Sequence, residues 1–440
     1  MRTFFQRSVA AFAAGTIVSI GPAANAAILA PSRVASAVDL TLPAAANTSV
    51  SFQTQRNARC VLSAPGTAAT MTVYADDRGV VSLQFTPERA GAANGAVTAQ
   101  CSAAGVANTQ LVRLHVVPGA LRQNAVRPAL GAQPLVPRGL DPAALSSADI
   151  NRLQLPPRPD AARDPEAYAQ WKRAVTTPVT RVGGTTVLRT DVIHGPVQRA
   201  RAASAATAGV TNGTGYSTNW SGVVATGRTN QFTYWVAGEW FVPAVTTNAA
   251  ESPAYSSVWD GIDGWGSGDV IQNGTEQDAL YLPFFGSLAF YSAWYEFYPD
   301  NGSTTLPNFT VAAGDEIYAV SWLCYNGSGQ RFGCYYMEDL TRGEASPTYS
   351  ELGAKPSLFQ GNSGEWVTER PTVGGTLHPL PHFNNFSFWW QHVYDSVAGG
   401  GRNACNESFS TITMYNAFDF LATTTPTACD ASTFSWLNYQ

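Results

Sequence analysis

Trp259-Asp260-Gly261-Ile262-Asp263-Gly264, followed eight residues past its last glycine by Gln272-Asn273-Gly274, sets the reading of this chain. The run lies on segments that read as β-strands, and no Ser, Cys or His in it is placed as a nucleophile. Similar runs surround it: Gln231 to Val245, Tyr255 to Ile262, Leu288 to Tyr298, Glu316 to Tyr325 and Phe332 to Thr341. They continue with Glu365 to Glu369, Phe386 to Tyr394, Ser410 to Tyr415 and Phe434 to Tyr439. Asn-Gly, Gly-Gly and Pro-containing turns separate them. No helical period interrupts the series. Many strands at short spacing read as an all-β, antiparallel β-sandwich over residues 211–440.

The totals agree with that reading. A chain of 440 residues exceeds one ordinary core, so more than one domain is expected. Charged residues make up only 13%, while 12 Trp, 17 Tyr and 21 Phe are plentiful, a balance that suits an exported β-protein. Arg2 and Arg7 precede an apolar run from Val9 to Ile20, and Ala24-Asn25-Ala26 is a small-residue cleavage site. Residues 1–26 therefore read as a signal peptide, and the chain as secreted and extracellular. No later stretch reaches membrane-spanning length, so no membrane association is expected. In an oxidising compartment the cysteines pair by default, and Cys60–Cys101, Cys324–Cys334 and Cys405–Cys429 each lie within one segment. Cys324 and Cys334 flank Asn326-Gly327-Ser328-Gly329, which predicts a disulfide across a hairpin.

Residues 27–118 read as a small β-domain, loosely like an immunoglobulin sandwich but without its core Trp. Residues 119–210 read as a Pro/Ala-rich linker and pro-segment, with helices near Pro142 to Leu153 and Pro165 to Val175 and a strand at Thr185 to Ile193. The low-complexity stretch 199–215 is a candidate for maturation cleavage. Charge divides at the same place. Residues 1–210 hold 20 Lys/Arg against 10 Asp/Glu, residues 211–440 hold 6 against 21, and the two sum to the chain's 26 and 31. A basic leader thus precedes an acidic body, which excludes phosphate backbones as partners of that body: no nucleic acid is expected.

Familiar hydrolase signatures are missing. There is no Gly-x-Ser-x-Gly elbow and no His-Glu-x-x-His, and neither Asp-Thr-Gly nor Asp-Ser-Gly occurs. His378, His382 and His392 lack metal-ligand spacing, so no metal or other cofactor is expected. What remains is an amide and a small set of carboxylates. Gln272 is an uncharged N–H donor at any pH, and Gly364-Glu365-Trp366-Val367-Thr368-Glu369 offers two acids whose side chains share one strand face. Alternation leaves the choice between Glu365 and Glu369 open.

Four segments in order carry a family likeness: Asn219-Trp220-Ser221-Gly222, the run Trp259 to Gly264 with Gln272-Asn273-Gly274, Ala293-Trp294-Tyr295-Glu296-Phe297-Tyr298-Pro299, and Gly364 to Glu369. Residues 216–440 resemble the glutamic peptidases, the eqolisin or G1 family of acid proteases. The resemblance implies two packed, concanavalin-like antiparallel sheets with a catalytic Gln and Glu on the concave face, and polypeptides as substrates. The Gln falls on Gln272 and the Glu on Glu369. By the same resemblance Asp263 hydrogen-bonds near the pair, Glu296 holds a neighbouring strand position, and Trp259, Trp294 and Tyr295 wall the cleft. Asp260 departs from the family pattern and is expected to add a third carboxylate near the site, while Arg370 is expected to depress the pKa of Glu369. The basic pro-segment is expected to act as an intramolecular inhibitor of a monomeric, acid-activated enzyme. A carbohydrate-binding, lectin-like sandwich or an inactive family member is the alternative.

Overall fold

Two-residue alternation along strand Ala254–Ile262 sorts its side chains into opposite layers: Val258 and Ile262 enter one apolar cluster and Trp259 another. The same sorting repeats along the C-terminal half. The computed structural model describes residues 38–43, 48–53, 57–63, 71–75, 80–85, 95–103, 106–117, 120–123, 132–183, 185–196, 214–226, 233–282, 286–299, 302–326, 328–352, 359–395, 401–402 and 409–439. The signal-peptide reading at 1–26 and most of the cleavage candidate at 199–215 lie outside them.

We number the long strands of the body in chain order. They are β1 (Trp220–Thr226), β2 (Thr233–Phe241), β3 (Ala254–Ile262), β4 (Val270–Leu282), β5 (Gly286–Tyr298) and β6 (Glu316–Tyr325). They continue as β7 (Arg331–Asp339), β8 (Ser363–Glu369), β9 (Phe386–Asp395), β10 (Ser410–Tyr415), β11 (Phe420–Ala428) and β12 (Ala431–Trp436). A front sheet runs β10-β1-β8-β3-β4-β5 and a back sheet β12-β9-β2-β6-β7, every pair antiparallel. β11 pairs with both β10 and β12, so the ladder passes from one sheet to the other along that edge. The expected β-sandwich is what the body forms.

Between the sheets lies one apolar layer, with Val258, Ile271, Tyr295 and Phe297 from the front and Val236, Trp240, Ile317 and Met337 from the back. Each such side chain contributes roughly 1.5–3 kcal/mol by leaving water. Polar groups in this layer bridge the sheets. Trp366 Nε1 donates to Ala237 O at 2.8 Å, and the Ser321 hydroxyl lies 2.9 Å from both Asp260 Oδ1 and Asn273 Oδ1. Burial raises the Asp260 carboxyl well above its ordinary value. The expectation for Asp260 is thereby corrected: its side chain enters the inter-sheet layer, because alternation sends it opposite to Trp259.

The disulfides Cys60–Cys101 and Cys324–Cys334 form as expected, the second joining β6 to β7. Cys429 is disulfide-bonded, and Cys405 lies outside the described residues. Upstream, a five-stranded sheet has Val38–Pro43 parallel to Val106–Val117, followed by Gly95–Ala103, Arg59–Ser63 and Met71–Tyr74. Strand Thr48–Gln53 departs from that sheet and pairs with β5.

Residues 133–196 are packed onto the body rather than strung out as a spacer. Ser146 and Asp149 form a capping box on helix Ser147–Arg152, and Asp164 caps helix Pro165–Thr176, whose first residue is proline. Trp171 and Val175 of that helix are fully buried against Trp235, Tyr318, Trp322 and Tyr336 on the outer face of the back sheet. Ion pairs surround this apolar contact: Arg173 Nη2 lies 2.6 Å from Glu239 Oε2, and His392 Nδ1 lies 2.8 Å from Asp164 Oδ2. Strand Thr185–Arg189 then pairs with Ser303–Thr305, itself paired with β5, and the chain crosses to the front sheet.

Candidate active site

Register fixes the front face before any side chain is considered. Across β8, β3, β4 and β5 it sets three rows: Glu369–Ser257–Glu276–Ser292, Val367–Trp259–Gly274–Trp294, and Glu365–Gly261–Gln272–Glu296. A Cβ at Gly274 would come within 2.5 Å of Trp259 Cβ, so glycine is what lets the Trp259 indole lie across the middle row. Gln272, Glu296, Glu369 and Trp259 are all 0% exposed.

They are covered by the leader. Its strand Val192–Ile193 pairs antiparallel with Thr372–Val373, just past β8, and this delivers His194 and Gly195 onto the rows. Gln272 Nε2 donates to the carbonyl oxygen of His194 at 2.7 Å. Gly195 N donates to Glu369 Oε1 at 2.9 Å. The two candidate residues therefore hold the two ends of one peptide group. Asn219 Nδ2 lies 2.8 Å from Gly195 O and 3.0 Å from Glu369 Oε1, and Trp259 Nε1 donates to Glu369 Oε2 at 2.8 Å.

The His194 ring stacks on Trp294 with centroids 3.5 Å apart. Its Nδ1 is 3.0 Å from Glu296 Oε2 and its Nε2 is 2.7 Å from Glu276 Oε2. Burial favours neutral forms throughout: it lowers the imidazole below its ordinary value and raises Glu276 to about 8 and Glu296 to about 7. A neutral ring then donates through one nitrogen and accepts a carboxyl proton at the other. Burial likewise pushes Glu369 up to about 8, against the donors from Gly195 and Trp259 that favour its carboxylate.

Glu365 shares the face of Glu369 as alternation predicts, but its Oε1 faces the backbone N–H of Trp265 at 3.3 Å. Asp263 lies apart from the pair. Its carboxylate accepts from the backbone N–H groups of Gln360, Gly361 and Asn362 at 2.8, 2.7 and 2.6 Å and so fastens the approach to β8. It adopts φ +68°, a left-handed conformation that Asp tolerates and Ala does not. Asp263→Ala is expected to lower folding stability by about 2–4 kcal/mol, read from the urea midpoint, through three orphaned N–H groups and backbone strain.

Tyr295 does not wall this face. It stacks on Tyr335 and Tyr349 inside the sandwich, because it alternates with Trp294 and Glu296. Arg370 donates from Nε to His378 O at 2.8 Å, and burial, not Arg370, dominates at Glu369, whose carboxyl is raised rather than depressed. The three histidines do not assemble: His378 meets Tyr255, His382 meets Trp436, and His392 meets Asp164. His194, Gly195, Asn219 and Glu276 escaped the sequence reading. Glu276 was recoverable, since four residues from Gln272 along a strand means the same face; Asn219 headed a motif already singled out.

Residues 218–433 match the model of the Peptidase A4 family. Aspergillopepsin-2 of Aspergillus niger is 27% identical over 190 residues, which cover 39% of this chain and 63% of that protein's length. Among solved structures, scytalido-glutamic peptidase with a peptide-based transition-state analogue is 18% identical at a TM-score of 0.39, covering 50% of this chain and 98% of that one. SCP-B, an eqolisin in complex with the tripeptide Ala-Ile-His, is 17% identical at a TM-score of 0.38 with the same coverage. Over residues 218–433 the chain is therefore similar to the Peptidase A4 family and, through aspergillopepsin-2 and that family model, to the glutamic peptidases.

Proposed function

We propose that the chain is a secreted acid endopeptidase in which Glu369 and Gln272 direct a water onto a peptide carbonyl. One observation carries this reading: Gln272 Nε2 binds the carbonyl oxygen and Glu369 Oε1 the N–H of a single peptide group. Burial under the leader is what raises Glu369. With the leader gone and water on the front face, Glu369 as carboxylate takes a proton from the water whose oxygen attacks the carbonyl carbon, and the same proton then passes to the leaving nitrogen. Gln272 donates to the oxygen on which negative charge develops. This chemistry calls for no metal, no cofactor and no acyl-enzyme. Carbohydrate binding is not favoured, because Trp220, Trp259 and Trp294 are buried beneath a peptide segment rather than displayed for sugar stacking.

Digestion of a denatured protein by the acid-treated chain tests the reaction class. Cleavage that is fastest below pH 6 and indifferent to chelators and to serine or cysteine reagents is expected. Loss of cleavage with a chelator would overturn it.

In the precursor, the leader acts as an intramolecular inhibitor of a monomeric enzyme, since residues 192–196 cover the face that a substrate must reach. Its anchor at Asp164 responds to acid. Burial alone would raise that carboxyl, but the hydrogen bond and charge of His392 outweigh it and hold Asp164 below its ordinary value. Burial would likewise lower His392, and Asp164 and Asp430 instead raise it to about 9. The Asp164 contribution is present above about pH 4 and lost as pH falls through its lowered value, while the His392 contribution is complete below about 6.5 and lost through 9. The leader is therefore held best between about pH 4 and 6.5 by this pair. Asp164→Asn is expected to speed leader release several-fold at pH 5, with little change at pH 3, measured by size-exclusion after processing.

A further inference from the structure

We propose that the His194–Gly195 peptide bond is the chain's own first substrate, cleaved within the same molecule by Glu369 and Gln272. The inference rests on the endopeptidase reading and names where that site acts first. Three features place this bond, and no neighbour of it, in position to react.

The first is polarity of attachment. The carbonyl of His194 meets the amide donor and the nitrogen of Gly195 meets the carboxyl group, which is the order hydrolysis needs. A bond bound only to block the site has no need of that order. The second is the approach of the backbone. A Cβ on Gly195 would lie 2.7–2.9 Å from the ring of Tyr298, so only glycine allows the nitrogen to press this close. The third is the grip on the flanking residue. The imidazole of His194 is clamped between Glu276 and Glu296 and stacked on Trp294, and its backbone N–H donates to Glu296 Oε2 at 2.9 Å. Such positioning turns a bimolecular reaction into a unimolecular one.

The step balances as a hydrolysis. In those molecules whose Glu369 is ionised, a form that the donors Gly195 N and Trp259 Nε1 favour, Glu369 accepts a proton from water, and the water oxygen bonds to the carbonyl carbon of His194 while Gln272 Nε2 donates to the oxyanion. The C–N bond breaks and the proton on Glu369 passes to the Gly195 nitrogen. One water is consumed and nothing is oxidised or reduced. Gln272 Oε1, Glu276 Oε1 and Glu296 Oε1 are buried acceptors without a hydrogen-bond partner among the described residues, as a water-binding face would have. The product ending at His194 carries a new carboxylate among Glu276, Glu296 and Glu369. The single peptide group that Gln272 and Glu369 held at its two ends is thereby gone, and the two cut ends are free to separate.

The full-length precursor, kept in acid, tests this by intact mass and N-terminal sequencing. The expected result is a fragment beginning at Gly195 whose half-life is unchanged over about a hundredfold range of concentration, as an intramolecular step requires. Glu369→Gln, which keeps the shape of the side chain, and Gln272→Ala are each expected to slow its appearance by at least roughly 100-fold. A sample that digests denatured protein yet leaves 194–195 joined would overturn the inference and spare the endopeptidase reading. A half-life that shortens in proportion to concentration would also overturn it, by showing cleavage between molecules. A chain that cuts neither itself nor an added substrate would remove both.

Discussion

Glu369→Gln is expected to lower kcat for digestion of a denatured protein by roughly 10²–10⁴-fold, the range for loss of a positioned general base. The substitution keeps volume and leaves one oxygen, which can still accept from Gly195 N and Asn219 Nδ2 while Trp259 Nε1 loses its acceptor, so the fold should persist at a modest cost. An amide cannot take a proton from water at any accessible pH. The loss should therefore fall on kcat, with KM little changed, because Glu369 touches the peptide nitrogen at a single point while the strand 372–373 supplies the extended pairing. Circular dichroism and the urea midpoint, measured in parallel, separate loss of chemistry from loss of structure.

The precursor is expected to lose stability as pH rises from about 4.5 to 8. Glu276, Glu296 and Glu369 are each raised from an ordinary 4.5, to about 8, 7 and 8, with burial as the leading cause. A carboxyl raised on folding contributes stability that is complete below its unfolded value and lost as pH climbs through its folded one. Each group costs on the order of 1.4 kcal/mol per pH unit between those values. Three such groups close together make a loss of several kcal/mol, against a total of roughly 5–15 for a domain. Urea midpoints at pH 4, 6 and 8 should fall in that order, and Glu276→Gln should flatten the trend. A midpoint that rises with pH would mean the cluster is held ionised.

How far the sequence could be read follows from what each signal measures. Period-two alternation placed the strands and put Glu365 and Glu369 on one face, and the register confirms both. The same alternation, applied between neighbours, would have removed Tyr295 from the cleft and Asp260 from the site, since each is next to a residue that faces it. Four motifs in order brought Gln272 and Glu369 together across a separation that no local pattern spans. The leader was harder. Its composition reads as linker because packing against the back sheet rests on Trp171, Val175 and a few flanking residues rather than on a long apolar stripe. Nothing in Val192-Ile193-His194-Gly195 marks it as a ligand, because its partners are backbone atoms and carboxylates supplied by distant strands. Asp263 was legible as important and not as to why: its three acceptor contacts are with a loop about a hundred residues away.

In the proposed reaction Gln272, and not merely any polar group on the front face, acts with Glu369 on one peptide bond. The most direct measurement is kcat/KM for acid hydrolysis of a denatured protein by Gln272→Ala set beside Glu365→Gln. Gln272→Ala is expected to fall by roughly 10²–10³-fold, as loss of an oxyanion donor does. Glu365→Gln is expected to stay within about tenfold of the unmodified chain, because burial pushes the Glu365 carboxyl well above its ordinary value and an amide replaces it at little cost. Full activity in Gln272→Ala, or a deeper loss in Glu365→Gln than in Gln272→Ala, would contradict the pairing of Gln272 with Glu369.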